Sequence, residues 1–210
     1  MSPKPSVGAT TLDLLRHGQP EGGDRYRGSV DDPLSPLGWE QMRRAAAGGR
    51  WDAIVTSPLR RCADFAQELG ERQGIPVALE PGVRELSFGL WEGLTGEEIM
   101  KSDGARLTAF WRNPVEHSPP EGESIRSVEA RAMAAWEEIL ARHRGGRVLL
   151  VSHGGVIRVL LSRVMMTPLE HLSRWTVPYA CLSRVRVDRI PEGDLPRLLF
   201  HGGRAEESEG

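Results

Sequence analysis

The stretch TLDLLRHG, residues 11–18, reads as a short apolar strand that runs directly into an Arg-His-Gly sequence. A second stretch of the same kind, RVLLVSHGG at residues 147–155, also ends on a histidine followed by glycine. Two further short apolar runs are DAIVT at residues 52–56 and IPVAL at residues 75–79. Short, continuous apolar runs rich in β-branched residues are typical of strands that are buried on both faces of a parallel sheet.

Stretches with helical periodicity separate these strands. They span residues 35–47, 59–73 and 124–144. Another helix is predicted to begin at Thr95, where Thr-Gly-Glu-Glu matches a capping box with Glu98 at the third helical position. This alternation of strand and helix predicts an α/β fold, a three-layer α/β/α sandwich with a mainly parallel central sheet.

The chain has 210 residues, enough for one domain with a full core. Residues 180–189 and 196–201 predict a closing hairpin of antiparallel strands. We expect a flexible N-terminal segment at residues 1–10, which is rich in Pro and Ser, and one domain at residues 11–202. Residues 203–210 are Gly-rich and acidic, which predicts a flexible C-terminal tail.

Composition narrows the classes of function. The chain is 39% apolar and 27% charged, with a net charge of -2, so no general attraction to nucleic acid is expected. No apolar run reaches the roughly 20 residues that cross a bilayer, so no membrane partner is expected. Cys62 and Cys181 are too few for a disulfide framework, and with no export signal they favour the cytoplasm.

Two histidines occupy the predicted carboxyl ends of strands, where open parallel sheets place their ligands. These are His17 and His153. A structural histidine is the simpler interpretation of either one alone, but Arg16 adjoins His17, and Arg60 and Arg61 follow another strand. Adjacent helical residues point about 100° apart, so one of this pair is expected to face the site. One guanidinium group can bind two phosphate oxygens at once. The two histidines and the arginines at strand ends therefore predict an oxyanion site.

Glu85, in VRELSFGLWEG after the third strand, is the best placed carboxyl group for acid chemistry at this site. A departing alkoxide needs a proton, which a carboxylic acid can supply. The simpler interpretation of Glu85 is an exposed loop carboxylate.

Other chemistries lack their motifs. The sequence contains no H-E-x-x-H and no paired C-x-x-C, so no metal is expected. It also lacks a G-x-S-x-G elbow, which argues against a serine hydrolase.

The blocks LLRHG, TSPLRR, VRELSFGLWEG and VSHGG, in this order, resemble the histidine phosphatase superfamily, which includes the cofactor-dependent phosphoglycerate mutases. The resemblance implies a phosphoglycerate mutase-like fold and a phosphomonoesterase that needs no metal or other cofactor. It implies that His17 is the nucleophile and forms a phosphohistidine, while Arg16, Arg61 and His153 hold the phosphoryl oxygens. Glu85 would be the general acid in the first step and would activate water in the second.

One departure from the mutases separates this chain within the superfamily. Mutases carry an asparagine six residues after the catalytic histidine, and this chain has Gly23 there, which favours hydrolysis. The stretch at residues 12–42 is similar to bacterial α-ribazole phosphatases of cobalamin biosynthesis, which implies α-ribazole 5′-phosphate or a cobalamin phosphate as substrate. The alternatives are a broad-specificity sugar or small-metabolite phosphatase, a phosphoglycerate mutase, and a pseudoenzyme that only binds phosphate esters.

The partner expected of the chain is therefore a small phosphorylated metabolite. Residues expected to bind it beside the catalytic set are Gly18, Arg27 and Gly154. Four aromatic residues are candidates for an apolar wall against a benzimidazole ring, although core packing explains them as well: Phe88, Trp91, Phe110 and Trp111. The segment 92–123, with its Pro-rich end, is a candidate lid. Residues 175–179 and the closing hairpin are candidates for a homodimer interface.

Overall fold

The structure of the chain, a computed structural model, describes residues 8–206. Residues 1–7 and 207–210, parts of the two segments predicted to be flexible, lie outside the described residues. The strands are β1 (Thr10–Arg16), β2 (Ala53–Thr56), β3 (Val77–Leu79), β4 (Arg147–Ser152), β5 (Leu182–Ile190) and β6 (Gly193–Gly203). The helices are α1 (Pro36–Ala45), α2 (Arg60–Gln73), α3 (Gly96–Arg112), α4 (Ile125–Arg142) and α5 (Gly154–Val164). Single turns of 3₁₀ helix cover Pro81–Val83 and Gly89–Trp91, and a longer one covers Leu169–Arg174.

The six strands form one sheet in the order β3-β2-β4-β1-β5-β6. The first four are parallel, whereas β5 pairs antiparallel with both β1 and β6. The predicted α/β/α sandwich with a mainly parallel sheet is therefore confirmed, as is the closing antiparallel hairpin. The neighbouring parallel strands β1 and β4 end side by side, with Arg16 opposite Ser152.

Helices cover both faces of the sheet, and each face has its own apolar core. On one face, Leu12 and Leu14 of β1 pack in a cluster with apolar residues of α3, α4 and α5. On the other face, Leu15 packs in a cluster with apolar residues of α1 and α2. Alternate residues of β1 thus serve opposite cores, because successive side chains of a strand point to opposite faces.

Helix α3 begins as the sequence predicts and then departs from regular geometry. The side chain of Thr95 accepts the N–H of Glu98 at 3.2 Å, and the Glu98 carboxylate accepts the N–H of Thr95 at 2.7 Å, so the capping box is complete. Asp103 is not helical (φ -144°, ψ 36°), and the helix kinks there. Asp103 accepts a hydrogen bond from the indole N–H of Trp91 at 3.1 Å, which holds the kink against the core.

A buried ionic cluster ties the end of the described chain to the central strand. Asp13 of β1 is completely buried and accepts hydrogen bonds from Arg184 (2.7 Å) and Arg147 (3.1 Å). Both arginines also donate to the carbonyl oxygen of Ala205, at 2.9 Å and 3.1 Å. Ala205 is itself buried in the core, so the packed domain extends beyond the boundary predicted at residue 202.

Among residues 8–206, none of the helices combines the length and the apolar character that crossing a bilayer requires.

Candidate active site

Pairing of β1 with β4 brings the two predicted histidines together. The backbone N–H of His17 donates to the carbonyl oxygen of Ser152 at 3.0 Å, one residue before His153. The two imidazole rings lie edge to face with their centroids 5.1 Å apart. Both side chains are buried, His17 at 5% exposure and His153 at 0%.

The His17 ring is held in a form that leaves one nitrogen free to attack. Its Nδ1 atom lies 2.8 Å from the carbonyl oxygen of Gly18. A carbonyl oxygen only accepts hydrogen bonds, so Nδ1 carries the proton and Nε2 keeps its lone pair. Burial and the charges of Arg16 and Arg61 lower the pKa of His17 well below its usual 6.5. The ring is therefore neutral at pH 7, as a nucleophile must be.

Arg16 is held on two sides. One terminal nitrogen donates to the carbonyl oxygen of Val177 at 2.6 Å, and the guanidinium carbon lies 4.3 Å from the ring centre of Tyr179. Its Nε–H is buried and has no hydrogen-bond partner among residues 8–206. A buried donor of this kind is costly to leave unpaired and is thus available to an anion.

Arg61, rather than Arg60, faces the same region. It is 1% exposed and lines the same cavity as His17, whereas Arg60 is exposed and lies 3.5 Å from Asp64. The terminal nitrogens of Arg61 donate to the carbonyl oxygens of Val30 (2.7 Å) and Gly28 (2.9 Å). Its Nε–H, like that of Arg16, is buried with no partner within the described part of the chain.

His153 precedes the first turn of α5 and packs behind His17. Its Nε2 atom lies 2.7 Å from the hydroxyl oxygen of Ser57 and 3.6 Å from the sulfur of Cys62. Burial, followed by the charges of Arg61 and His17, lowers the pKa of His153 well below its usual value. The second histidine is therefore neutral as well, and it acts as a hydrogen-bonding group rather than a cation.

Glu85 lies across the cavity at the start of α5. Its carboxylate accepts the N–H groups of Leu86 (3.0 Å) and Gly155 (3.2 Å). A Cβ on residue 155 would lie 2.4 Å from one carboxylate oxygen, so only glycine allows this approach. The five residues of the predicted catalytic set are thus brought together, and four of them line one cavity: Arg16, His17, Arg61 and Glu85.

The loop that carries Glu85 is fixed from behind by Arg131 of α4, which the sequence analysis did not single out. Its guanidinium group donates to the carbonyl oxygens of Gly82 (2.8 Å), Arg84 (2.6 Å) and Glu85 (3.2 Å). It also pairs with the carboxylate of Glu123. In the sequence Arg131 looks like any arginine on an amphipathic helix, since its partners lie nearly 50 residues away in the chain.

The cavity has a volume of about 680 Å³ and an aromatic wall. Of the four predicted wall residues, Phe88, Phe110 and Trp111 line it. Trp91 is instead 2% exposed and packs at 5.8 Å, ring centre to ring centre, against Phe110 in the core. Tyr26, which was not predicted, joins the wall and accepts the indole N–H of Trp111 at 3.0 Å.

The three predicted substrate-binding residues have different surroundings. Arg27 and Gly154 line the cavity, and Arg27 is bonded to Asp32 at 2.8 Å. Gly18 is not among the described residues that line it. A Cβ on Gly18 would lie 2.2 Å from the carbonyl oxygen of Gly38, so this glycine allows two backbone segments to meet.

Cationic and polar residues not singled out for the cavity also reach it. Arg158 of α5 and Tyr179 line it, together with Asp24 and Arg25. Arg158 donates its Nε–H to the carbonyl oxygen of Trp175 at 2.9 Å. Burial and the charge of Arg16 lower its pKa. No group of His, Cys, Asp and Glu side chains suited to a metal ion occurs within residues 8–206.

Comparison with known proteins agrees with this geometry. Residues 12–191 match the histidine phosphatase superfamily (branch 1). A glucosyl-3-phosphoglycerate phosphatase of Mycobacterium tuberculosis is 39% identical over 177 residues, 78% of each chain. An adenosylcobalamin/alpha-ribazole phosphatase of Escherichia coli is 26% identical over 182 residues, 84% of this chain and 89% of the relative. The solved mycobacterial glucosyl-3-phosphoglycerate phosphatase with inorganic phosphate is 33% identical, with a TM-score of 0.81 over 94% of this chain and 99% of that one.

Proposed function

This chain belongs to the histidine phosphatase superfamily and is a phosphoric monoester hydrolase, and we propose that it works through a phosphohistidine formed on His17. Nε2 of His17 attacks phosphorus while the bond from phosphorus to the ester oxygen breaks. Glu85, entering as the carboxylic acid, gives its proton to the departing oxygen. Water then attacks phosphorus while the bond from phosphorus to Nε2 of His17 breaks, Glu85 takes up the proton of that water, and inorganic phosphate leaves.

The observation that carries this proposal is the pair of buried guanidinium donors beside His17. The Nε–H groups of Arg16 and Arg61 have no partner within the described chain, and both residues line the cavity with His17. Charge grows on the equatorial oxygens during phosphoryl transfer, and preorganised cationic donors stabilise it without a metal. His153, bonded to Ser57 at 2.7 Å, packs beside His17 and is part of the same buried cluster. This supports hydrolysis over the pseudoenzyme alternative.

We propose further that the substrate carries a second negative charge, with glucosyl-3-phosphoglycerate as the first candidate. Arg158 lines the cavity beside Arg16 and has no carboxylate within ion-pair distance in the described chain. A glycerate carboxylate would neutralise that cation, and the aromatic wall of Tyr26, Phe88 and Trp111 would contact a sugar ring. The 39% identical relative is named for this substrate.

The second candidate is α-ribazole 5′-phosphate. The same aromatic wall suits a flat benzimidazole, and the 26% identical relative is named as an alpha-ribazole phosphatase. This substrate has no second anion to meet Arg158, which is why we place it second.

A substrate panel with a chelator present tests both the proposed mechanism and the proposed substrate. Phosphate release is measured from glucosyl-3-phosphoglycerate, α-ribazole 5′-phosphate, 3-phosphoglycerate and p-nitrophenyl phosphate, beside a His17→Ala variant. Loss of all turnover in that variant, and acid-labile phosphate on the wild type alone, are expected. A His17→Ala variant that still turns over would refute the mechanism, and fastest release from α-ribazole 5′-phosphate would replace our first substrate by the second.

A further inference from the structure

The ring of Tyr179 lies against Arg16 and His17. In the proposed function, Arg16 binds the phosphoryl group and His17 accepts it. Its ring centre lies 4.3 Å from the guanidinium carbon of Arg16 and 5.7 Å from the ring centre of His17. A cation over an aromatic face is attracted by the ring electrons, and more strongly where water is excluded. Tyr179 itself has been given no role in the reaction.

The backbone around Tyr179 is unusual in a way that serves this placement. Pro178 to Cys181 form a tight turn closed by a 3.0 Å hydrogen bond, and Ala180 adopts φ +54°, which is unfavourable for a residue other than glycine. The N–H of Ala180 donates to the carbonyl oxygen of His17 at 3.1 Å. The N–H of Arg16 donates to the carbonyl oxygen of Cys181 at 3.0 Å. The turn is therefore bonded directly to the residues that Tyr179 covers.

The phenol group makes a separate contact. It donates to the carboxylate of Asp24 at 3.1 Å, which joins the turn to the loop between β1 and α1. Burial raises the pKa of Tyr179, so the phenol remains a donor at neutral pH. The ring and the hydroxyl thus have different partners, and substitutions can separate them.

We propose that Tyr179 is a positioning residue for phosphoryl transfer, whose ring fixes the Arg16 guanidinium so that its Nε–H meets a phosphoryl oxygen. The proposal rests on the proposed function. One terminal nitrogen of the Arg16 guanidinium group donates to the carbonyl oxygen of Val177 at 2.6 Å, and the Tyr179 ring packs against the face of the same group. With both fixed, the buried Nε–H, which has no partner within the described chain, is available to the substrate.

Two consequences distinguish this role from contact with the leaving group. The phosphoryl group is common to all substrates, so loss of the ring reduces turnover of every ester alike. Among residues 8–206 the hydroxyl bonds only Asp24, so a phenylalanine at this position is expected to keep the function.

The experiment compares Tyr179→Leu with Tyr179→Phe, and uses Trp39→Leu as a matched control. Arg43 lies 5.1 Å from the Trp39 ring centre, so this control removes a cation–aromatic contact that is not at the cavity. Kinetics on p-nitrophenyl phosphate and glucosyl-3-phosphoglycerate are combined with calorimetric titration of inorganic phosphate. Tyr179→Leu is expected to lower kcat about tenfold on both esters and to weaken phosphate binding similarly. Tyr179→Phe and Trp39→Leu are expected to keep wild-type values.

A double-mutant cycle with Arg16→Ala isolates the coupling. If the ring acts through Arg16, Tyr179→Leu has no further effect on phosphate affinity in the Arg16→Ala background. An equal loss in both backgrounds, a loss confined to one ester, or wild-type behaviour of Tyr179→Leu with native circular dichroism would each overturn this proposal. None of these touches the proposed function, which the His17→Ala variant tests separately.

Discussion

At the scale of the residue, the environment of a side chain decides whether it is protonated and at which atom. The carbonyl oxygen of Gly18 assigns the His17 proton to Nδ1, and burial keeps the ring neutral. The carboxyl group of Glu85 lies in the same cavity as His17. In the mechanism that we propose, His17 is the nucleophile and Glu85 is the proton donor.

Substitution of Glu85 by glutamine is expected to separate esters by how much help their leaving group needs. An alkoxide must be protonated, so kcat on a sugar phosphate falls about 10²-fold to 10⁴-fold. p-Nitrophenolate leaves unprotonated, so Glu85→Gln still forms the phosphohistidine from p-nitrophenyl phosphate and releases a burst of nitrophenol before slow turnover. Rapid-mixing kinetics measure this, with Glu116→Gln, an exposed loop residue, as control. Equal losses on both esters, with no burst, would remove Glu85 from the role of acid.

The two buried histidines also predict how stability depends on pH. Their pKa values are lowered well below 6.5 in the folded chain, so below pH 6.5 the unfolded chain binds protons that the folded chain does not. The free energy of unfolding is therefore unaffected by them above pH 6.5, and it falls by about 1.4 kcal/mol per histidine for each pH unit below. Urea unfolding at pH 7.5 and 5.5 measures the loss, which is expected to shrink in His17→Gln. A free energy of unfolding that is the same at both pH values, or a loss in His17→Gln as large as in the wild type, would contradict the lowered pKa values.

At the scale of the element, the first turn of α5 meets the loop that carries Glu85. Gly154 and Gly155 begin this helix, and the N–H of Gly155 donates to the Glu85 carboxylate at 3.2 Å. The two glycines follow His153 in the sequence, so one short segment supplies both His153 and the backbone N–H that binds the Glu85 carboxylate. A side chain at residue 155 would occupy the space of the carboxylate.

Gly155→Ala is therefore expected to displace Glu85 while leaving the helix intact. Alanine is a better helix former than glycine, so the helix itself gains about 0.5 to 1 kcal/mol, whereas kcat falls at least about tenfold. Thermal unfolding and kinetics on a sugar phosphate measure the two effects, with Gly104→Ala in α3 as a glycine control in a helix that carries none of the catalytic set. Wild-type kcat in Gly155→Ala would show that the carboxylate is not held where we place it.

Local patterns in the sequence were sufficient to predict the main strands and helices and the group of residues that the structure brings together at the cavity. Strand ends followed by His or Arg are visible in TLDLLRHG and RVLLVSHGG, and neighbouring parallel strands must bring such ends together. Tyr179, Arg131 and Arg158 were not foreseen, because their roles depend on partners far away in the chain. For Trp91 the sequence left the cavity wall and the core open, since periodicity cannot tell an aromatic residue that lines a cavity from one in the core beside it.

At the scale of the whole molecule, the end of the described chain belongs to the core. The carbonyl oxygen of Ala205 accepts hydrogen bonds from Arg184 and Arg147, and both of these arginines also bond Asp13 in the central strand. The sequence predicted a loose tail from residue 203 because the segment is Gly-rich and acidic. Composition does not reveal a backbone carbonyl that accepts hydrogen bonds from the buried Arg184 and the partly exposed Arg147.

Removal of residues 203–210 is expected to destabilise the chain more than removal of residues 207–210. The longer deletion takes away Ala205, leaves donors of Arg184 and Arg147 without that acceptor, and opens the core, at a cost of about 2 to 4 kcal/mol. Urea unfolding of both truncated chains measures the difference. If the two unfold at the same denaturant concentration, the C-terminal contacts contribute nothing to stability.

The order of strands in the sheet has a consequence for how the chain folds. β1 lies between β4 and β5, so its two neighbours are made well over 100 residues later in the chain. Such distant pairing closes long loops and is slow to form, because much chain entropy is lost before contacts compensate for it. During synthesis both edges of the apolar strand β1 stay unpaired until the last third of the chain has been made. Unpaired edges of this kind are prone to aggregation. We therefore expect no complete site in a nascent fragment that lacks β4, because His17 and His153 come together only when that strand pairs with β1.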